Sequence, residues 1–279
     1  MFMYIRTQRT ACAVTAILIL LNVPSSPAFA WNYFIAEQTD FTGHGCEAPD
    51  VNMITYSLDT FLEDDGHIGD RFLHDLVKPQ WFRESCSTTY GTGGTDHIYG
   101  DNDLLTVYAG HGDLGRLWFA NINNGICVAD LGSHMRIGSM GGGFAGHAMW
   151  LTSCTLNTAH IASDANFQWV RQQYGFHNSP SIENGDPGRV YFWTTGANFD
   201  YSNTYAWTGI MELDSSDDEE NSPIVISYNS TSSGATLVRD NAQMRDGVYM
   251  SRRINAPVCQ AGQPAFYYNY VMRNNGGCP

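Results

Sequence analysis

Two short apolar runs, at residues 104–109 and 147–151, place the tightest limits on how this chain can fold. The first is Leu-Leu-Thr-Val-Tyr-Ala and the second is His-Ala-Met-Trp-Leu. Both are too short for a core helix, and neither has the polar alternation of a strand with one solvated face. Continuous apolar runs of this length are typical of strands buried on both faces in a parallel sheet. They therefore predict an α/β fold.

The segments around these runs predict alternating strands and helices. We accordingly expect a three-layer α/β/α sandwich with a mainly parallel central sheet. The other expected elements are a strand at residues 32–37, a helix that follows Asp50 and ends near Gly66, a hairpin from residues 117–120 and 125–129, and a helix at residues 159–174.

The first 30 residues have the pattern of a cleaved signal peptide. Arg6 and Arg9 precede an apolar run at residues 11–23, and Ala28-Phe29-Ala30 supplies the small-x-small pattern of a cleavage site. We predict cleavage before Trp31. No later segment approaches the ~20 apolar residues of a membrane helix, so we expect no membrane span in the mature chain. The mature protein would be secreted or periplasmic.

Charge excludes one class of partner. The chain carries 14 basic and 28 acidic residues, and the formal charge is −14. A protein that binds nucleic acid needs a basic surface to neutralise phosphates, so we expect no nucleic-acid partner.

Residues 31–279 are expected to form a single domain. The histidine and cysteine spacings complete no metal site, and we expect neither a metal nor another cofactor.

Six cysteines remain after signal cleavage, and an even count in an oxidising compartment first suggests disulfides. Proximity in sequence favours pairing Cys46 with Cys86 and Cys259 with Cys278, which would leave Cys127 as a buried thiol. A bridge between Cys127 and Cys154 is the sharpest alternative, because it would remove a candidate nucleophile.

Each apolar run ends in residues that could carry chemistry. Residues 104–109 lead through Gly110 into His111 and Gly112, and residues 147–151 lead into Ser153 and Cys154. The carboxyl ends of parallel strands share one edge of a sheet, where ligands and catalytic groups gather. An imidazole beside a cysteine raises its thiolate fraction, so His111 and Cys154 form a candidate dyad. The amides of Gly112 and Cys154 are candidate oxyanion donors.

These blocks resemble a known group of enzymes. Tyr108-Ala109-Gly110-His111-Gly112 and Trp150-Leu151-Thr152-Ser153-Cys154 are similar to the histidine and cysteine blocks of the caspase, legumain and gingipain group of cysteine peptidases. The glutamine and glycine residues that flank the cysteine in caspases are absent here. Residues 101–180 also resemble an uncharacterised family of exported bacterial proteins that share both blocks.

The resemblance implies a caspase-like fold and an exported cysteine hydrolase, most simply an endopeptidase with a peptide or protein substrate. Cys154 would attack the scissile carbonyl, and His111 would move the proton. Ser153 and His177 are further candidates for lining the crevice. The alternative is a secreted binding or interaction protein that keeps the fold without turnover.

Three other patterns favour ordinary structure over function. His44 precedes a glycine, but no apolar strand leads into it. The glycines of residues 141–146 precede a predicted strand, whereas a dinucleotide site needs them after one. Residues 214–220 hold five acids in seven positions without the ligand order of an EF-hand, which favours a solvated loop.

Overall fold

The two apolar runs form neighbouring strands in the middle of one seven-stranded sheet. The strand order is β10-β9-β8-β7-β3-β1-β2. The strands are β1 Asn32–Gln38, β2 Ile68–Leu73, β3 Leu105–Gly110, β7 His147–Leu151, β8 Gln172–Phe176, β9 Pro223–Asn229 and β10 Tyr267–Met272. The computed structural model describes residues 31–43, 45–46, 48, 55–83, 94–96, 98–123, 126–131, 135, 137, 145–156, 170–178, 202–211, 221–243 and 267–273.

Burial explains why the central strands are so apolar. Every residue of β3 and β7 is buried, as are six of the seven residues of β1. Side chains of successive residues point to opposite faces of a strand, so an entirely buried strand needs apolar partners on both faces of the sheet.

The sheet is mixed, which corrects the expectation of a mainly parallel sheet. Strands β2, β1, β3, β7 and β8 pair in parallel. Strand β9 is antiparallel to both of its neighbours, β8 and β10. The α/β class is confirmed.

Three α-helices lie among the described residues: α1 Thr55–Asp64, α2 Asn203–Met211 and α3 Ser232–Asn241. Helices α1 and α2 cover one face of the sheet, where Leu58 and Trp207 join the core with strand residues such as Ile35. Helix α3 packs on β9 and β10. Its first turn is capped by the Thr231 hydroxyl, which accepts from the Gly234 amide at 3.0 Å.

The opposite face of the large sheet is covered by a second, smaller sheet and a 3-10 region, where we expected a layer of helices. A second sheet, of three antiparallel strands, contributes Leu117 and Phe119 to this core, beside Trp81 and Phe82 from a short 3-10 region. Within the described part of the chain, no α-helix takes this position, so the three-layer arrangement is not confirmed. The strands of the second sheet are β4 Gly112–Asp113, β5 Arg116–Asn123 and β6 Ile126–Asp130, and the 3-10 helices are His74–Leu76 and Pro79–Trp81.

Several sequence predictions can be compared with these bounds. The first strand, the helix ending near Gly66 and the hairpin of β5 and β6 are confirmed. The helix predicted at residues 159–174 is wrong at its end, because residues 172–174 belong to strand β8. Residues 159–169 of the predicted helix lie outside the described residues. The predicted signal peptide, Asp50, residues 141–144 and the acidic segment 214–220 also lie outside the described residues.

None of the helices in the described ranges is both long and apolar enough to cross a membrane.

A buried polar network ties β7 and β8 to α2. The His147 Nδ1 and Tyr174 hydroxyl lie 2.9 Å apart, and the Tyr174 hydroxyl also donates to Gln172 Oε1 at 2.8 Å. The Asn203 side-chain amide donates to the Tyr174 hydroxyl at 2.9 Å and to Gln172 Oε1 at 3.1 Å. The pKa of His147 is lowered to about 3, mainly by burial and secondly by the positive charge of Arg171.

We predict that this histidine makes the fold sensitive to mild acid. The unfolded chain binds a proton at His147 below a pKa of about 6.5, whereas the folded protein does not until about pH 3. The contribution of neutral His147 to the free energy of unfolding is therefore complete above pH 6.5. It falls by about 1.4 kcal/mol for each pH unit below that value. Urea unfolding at pH 7 and pH 5 measures the loss. His147→Asn cannot titrate, so its loss over this range should be smaller by about 2 kcal/mol; equal losses in both proteins would contradict the assignment.

Candidate active site

The two strand ends that carry the candidate dyad lie side by side. Strands β3 and β7 pair in parallel, with Ala109 opposite Leu151. His111 follows β3 and Cys154 follows β7, so the predicted placement of these segments on neighbouring strands and at one edge is confirmed. Strand β1 lies on the other side of β3, and the chain changes direction across the sheet between β1 and β3. Crevices for ligands form outside such switch points.

The backbone of His111 is fixed from two directions. Its carbonyl accepts from the Trp118 amide at 3.0 Å and from the Tyr108 hydroxyl at 3.3 Å. The Tyr108 hydroxyl also donates to the Trp118 carbonyl. The half-buried imidazole lies against Phe41, with ring centroids 5.0 Å apart. The turn after β3 is thus held by β5 and by the segment that follows β1.

Removing the Tyr108 hydroxyl should loosen this turn. Tyr108→Phe leaves the Trp118 carbonyl without that donor, and we expect a loss of about 1–2 kcal/mol in the free energy of unfolding. Urea unfolding followed by tryptophan fluorescence measures it. Tyr56→Phe is the matched control, because Tyr56 is 64% exposed and its change should stay within about 0.5 kcal/mol. Equal stability of the two variants would argue against the hydroxyl as a support of His111.

Gly112 brings the two motifs into contact. A β-carbon added at this glycine would overlap the Thr152 hydroxyl oxygen and would lie 2.9 Å from Thr155 Oγ1 and 2.7 Å from the Arg116 carbonyl. Thr152 and Thr155 flank Cys154 in sequence. The glycine after His111 is therefore packed directly on the segment that contains Cys154, and only glycine fits there.

Cys154 is buried and has an unusual backbone. It is 4% exposed, and its φ of 52° lies in the left-handed region that non-glycine residues rarely adopt. Such conformations persist where the surroundings hold them, and they cluster at functional sites. The Cys154 amide donates to the Asn178 carbonyl at 2.9 Å.

Two observations bear on the candidate roles of this residue. The amide of Cys154, a candidate oxyanion donor, is already engaged by Asn178. Its sulfur is disulfide-bonded, so the described state has no thiolate at this position. The partner is neither Cys46 nor Cys127, because those two cysteines bond to each other.

No family model, curated protein or solved structure matches this chain.

The Cys46–Cys127 disulfide also corrects the pairing inferred from proximity. Cys46 was expected to bond to Cys86, and Cys127 to remain a thiol or to bridge Cys154. Instead the bond spans 81 positions of the sequence and joins the segment after β1 to strand β6. The proposed pair of Cys259 and Cys278 lies outside the described residues, as does His44.

The remaining candidates lie at the same edge. Ser153 is half-buried, and its carbonyl accepts from the Thr155 hydroxyl at 3.0 Å. His177 follows β8, the neighbour of β7, and its amide donates to the Ser222 carbonyl at 2.9 Å. Ser153 precedes Cys154 directly, and His177 precedes Asn178, whose carbonyl accepts from the Cys154 amide. We assign neither residue a chemical role.

Asn178 is a residue that the sequence analysis missed. Its carbonyl accepts from the Cys154 amide, and its side-chain Oδ1 accepts from the Ser222 amide at 2.9 Å. It therefore links the end of β7 to the start of β9. The signal that could have found it is strand β8: recognising a strand at Gln172–Phe176 places residues 177 and 178 at the edge that holds His111.

No group of three or more histidine, cysteine, aspartate or glutamate residues suited to hold a metal ion occurs among the residues that the structure describes.

Proposed function

We propose that this protein is an exported cysteine hydrolase, most simply an endopeptidase, whose reduced form uses His111 and Cys154 as a catalytic dyad. The observation that carries the proposal is the packing of Gly112 on Thr152 and Thr155, which joins the segments after β3 and β7. A histidine and a cysteine carried on touching segments at one sheet edge are the parts that nucleophilic acyl transfer requires.

Each residue has a proposed role. The Cys154 thiolate attacks the carbonyl carbon of a peptide bond, and His111 first takes the thiol proton and then passes a proton to the leaving amine. The Gly112 amide is the proposed donor to the oxyanion. The Cys154 amide could join it only by giving up its bond to Asn178. The hydrolysis ends when water releases the acyl group from the sulfur.

Strand order supports a caspase-like fold for this site. The order β2-β1-β3-β7-β8 follows the 2-1-3-4-5 arrangement of doubly wound sheets, and the histidine and the cysteine follow the third and fourth strands of that order. The resemblance of the two sequence blocks to the caspase, legumain and gingipain group points to the same fold. Export is supported by the Cys46–Cys127 disulfide, because disulfides persist in oxidising compartments.

Labelling and hydrolysis of the reduced protein test the proposal. Iodoacetamide should react with Cys154 faster in the reduced, folded protein than in a denatured sample, and His111→Ala should remove that advantage. Hydrolysis of fluorescein-labelled casein should disappear in Cys154→Ala and fall by about 10²-fold or more in His111→Ala. His74→Ala is the matched control, since it removes a half-buried histidine that follows the edge strand β2 and has no proposed role in the site, and it should keep most of the activity. Slow, equal labelling of all cysteines with no hydrolysis would reject the enzyme.

A specific observation favours a second candidate function, a secreted binding protein. In the described state the sulfur of Cys154 is in a disulfide and its amide is in a hydrogen bond, so both groups already serve structure. A binding protein needs this disulfide only to hold the edge of the sheet. It predicts that reduction lowers stability without producing a selectively reactive thiol, and that His111→Ala leaves the labelling rates unchanged.

A further inference from the structure

We infer that the disulfide of Cys154 is a redox latch, which closes the proposed active site until a dithiol reductant opens it. The inference rests on the proposed function and concerns the regulation of the same site. Its starting point is that both catalytic groups of Cys154 are occupied at once. The sulfur is disulfide-bonded, and the amide donates to the Asn178 carbonyl at 2.9 Å.

The position of this disulfide distinguishes it from the other one. Cys46–Cys127 joins the segment after β1 to strand β6, and neither of its cysteines is a proposed catalytic residue. Cys154 follows β7, next to the strand that leads into His111. It also has the left-handed backbone, with φ of 52°, in the turn that the contacts of Gly112 hold in place. A bond to this sulfur therefore acts on the reacting atom itself.

The chemistry of opening is thiol–disulfide exchange. A thiolate of the reductant attacks the partner sulfur, the bond to Cys154 breaks, and Cys154 leaves as a thiolate. The second thiol of the reductant then attacks the mixed disulfide and releases the partner cysteine. Two electrons and two protons pass from the dithiol to the protein, and the reductant departs as its own disulfide.

The reductant class follows from the burial of the target. Cys154 is 4% exposed, so a protein dithiol that must reach its sulfur directly is disfavoured. Attack on the partner sulfur does not require the reductant to contact Cys154. The latch is thus suited to any dithiol that reaches the partner cysteine, and dithiothreitol is the probe of choice.

The test begins with protein exported by its host and purified without reductant. Alkylation with iodoacetamide and peptide mapping should find at least about tenfold more modified Cys154 after dithiothreitol than before it, with casein hydrolysis appearing in parallel. Three single variants, Cys86→Ser, Cys259→Ser and Cys278→Ser, remove each remaining cysteine of the mature chain in turn. One of them should label at Cys154 and hydrolyse casein without reductant. Cys46→Ser/Cys127→Ser is the control and should leave Cys154 closed.

The outcomes separate the latch from the enzyme. A free Cys154 thiol in the untreated protein, with hydrolysis that dithiothreitol does not raise, would overturn the latch and leave the hydrolase standing. Selective, His111-dependent labelling after reduction without any hydrolysis would overturn the hydrolase and keep a reducible Cys154. If all three single variants still need reductant, the latch is rejected, because no single intramolecular partner then closes the site.

Discussion

Gly112→Ala is expected to destabilise the folded protein by about 3 kcal/mol, the upper end of the usual cost of forcing extra atoms into a packed region. The added methyl group would overlap the Thr152 hydroxyl oxygen and would lie 2.7 Å from the Arg116 carbonyl. One neighbour belongs to the Cys154 segment and the other to β5, so relief requires moving a backbone. The same movement would separate His111 from Cys154, and the reduced variant should lose selective labelling of Cys154.

Urea unfolding measures this effect against a glycine that has room. Gly209 lies in α2, and apart from its chain neighbours and the backbone of its own helix no heavy atom lies within 4 Å of an added β-carbon. Gly209→Ala should therefore match the wild type or gain up to about 1 kcal/mol, since alanine favours the helix. Adding Thr152→Ala to Gly112→Ala removes the nearest obstacle, and part of the lost stability should return. A Gly112→Ala protein as stable as Gly209→Ala would contradict the packing on which the proposed site depends.

The central strands were predictable because burial on both faces leaves a direct mark on sequence. Strands β3 and β7 have no exposed position, so nearly all of their residues had to be apolar. The ends of those strands then located His111 and Cys154 at one edge without knowledge of any contact. Parallel pairing turns sequence position into spatial position, which is why this part of the site followed from the chain alone.

Strand β8 was missed for the opposite reason. It begins with Gln172 and Gln173, both fully buried, and two adjacent glutamines do not mark a core strand in a sequence. Gln172 donates to Ser227 Oγ at 3.1 Å, and Gln173 donates to the Tyr228 hydroxyl at 2.7 Å. Their burial is acceptable because β9, together with Asn203 of α2 and Trp150 of β7, supplies hydrogen-bond partners. Local periodicity contains no information about them, so it favoured a helix.

The state of the cysteines was also beyond sequence reasoning. Proximity along the chain favoured Cys46 with Cys86, whereas the observed partner of Cys46 is Cys127, 81 positions away. A disulfide requires two close Cα positions, and those depend on how β6 returns beside the segment after β1. The same limit applies to Cys154. Its location followed from a strand end, but its oxidation state depends on a partner that no spacing identifies.

Replacing both members of the Cys46–Cys127 disulfide with serine is expected to lower the free energy of unfolding by about 3–4 kcal/mol. The bond spans 81 positions, and a cross-link that closes a long loop restricts the unfolded chain strongly. It also holds the segment after β1, which places Phe41 against His111 at 5.0 Å between ring centroids. The loss should therefore reach the environment of the histidine as well as global stability.

Urea unfolding at pH 7 measures both the midpoint of unfolding and the dependence of the unfolding free energy on urea concentration. The midpoint should fall, and the dependence of the unfolding free energy on urea should steepen, because the unfolded chain expands further without the cross-link. The single variants Cys46→Ser and Cys127→Ser each break the same bond, so they serve as matched controls and should agree with the double variant to within about 0.5 kcal/mol. A double variant within about 1 kcal/mol of the wild type would mean that this disulfide does little to stabilise the fold. In that case the contacts of β5 and β6 with Phe82 and Tyr108 would be sufficient to hold the second sheet beside His111.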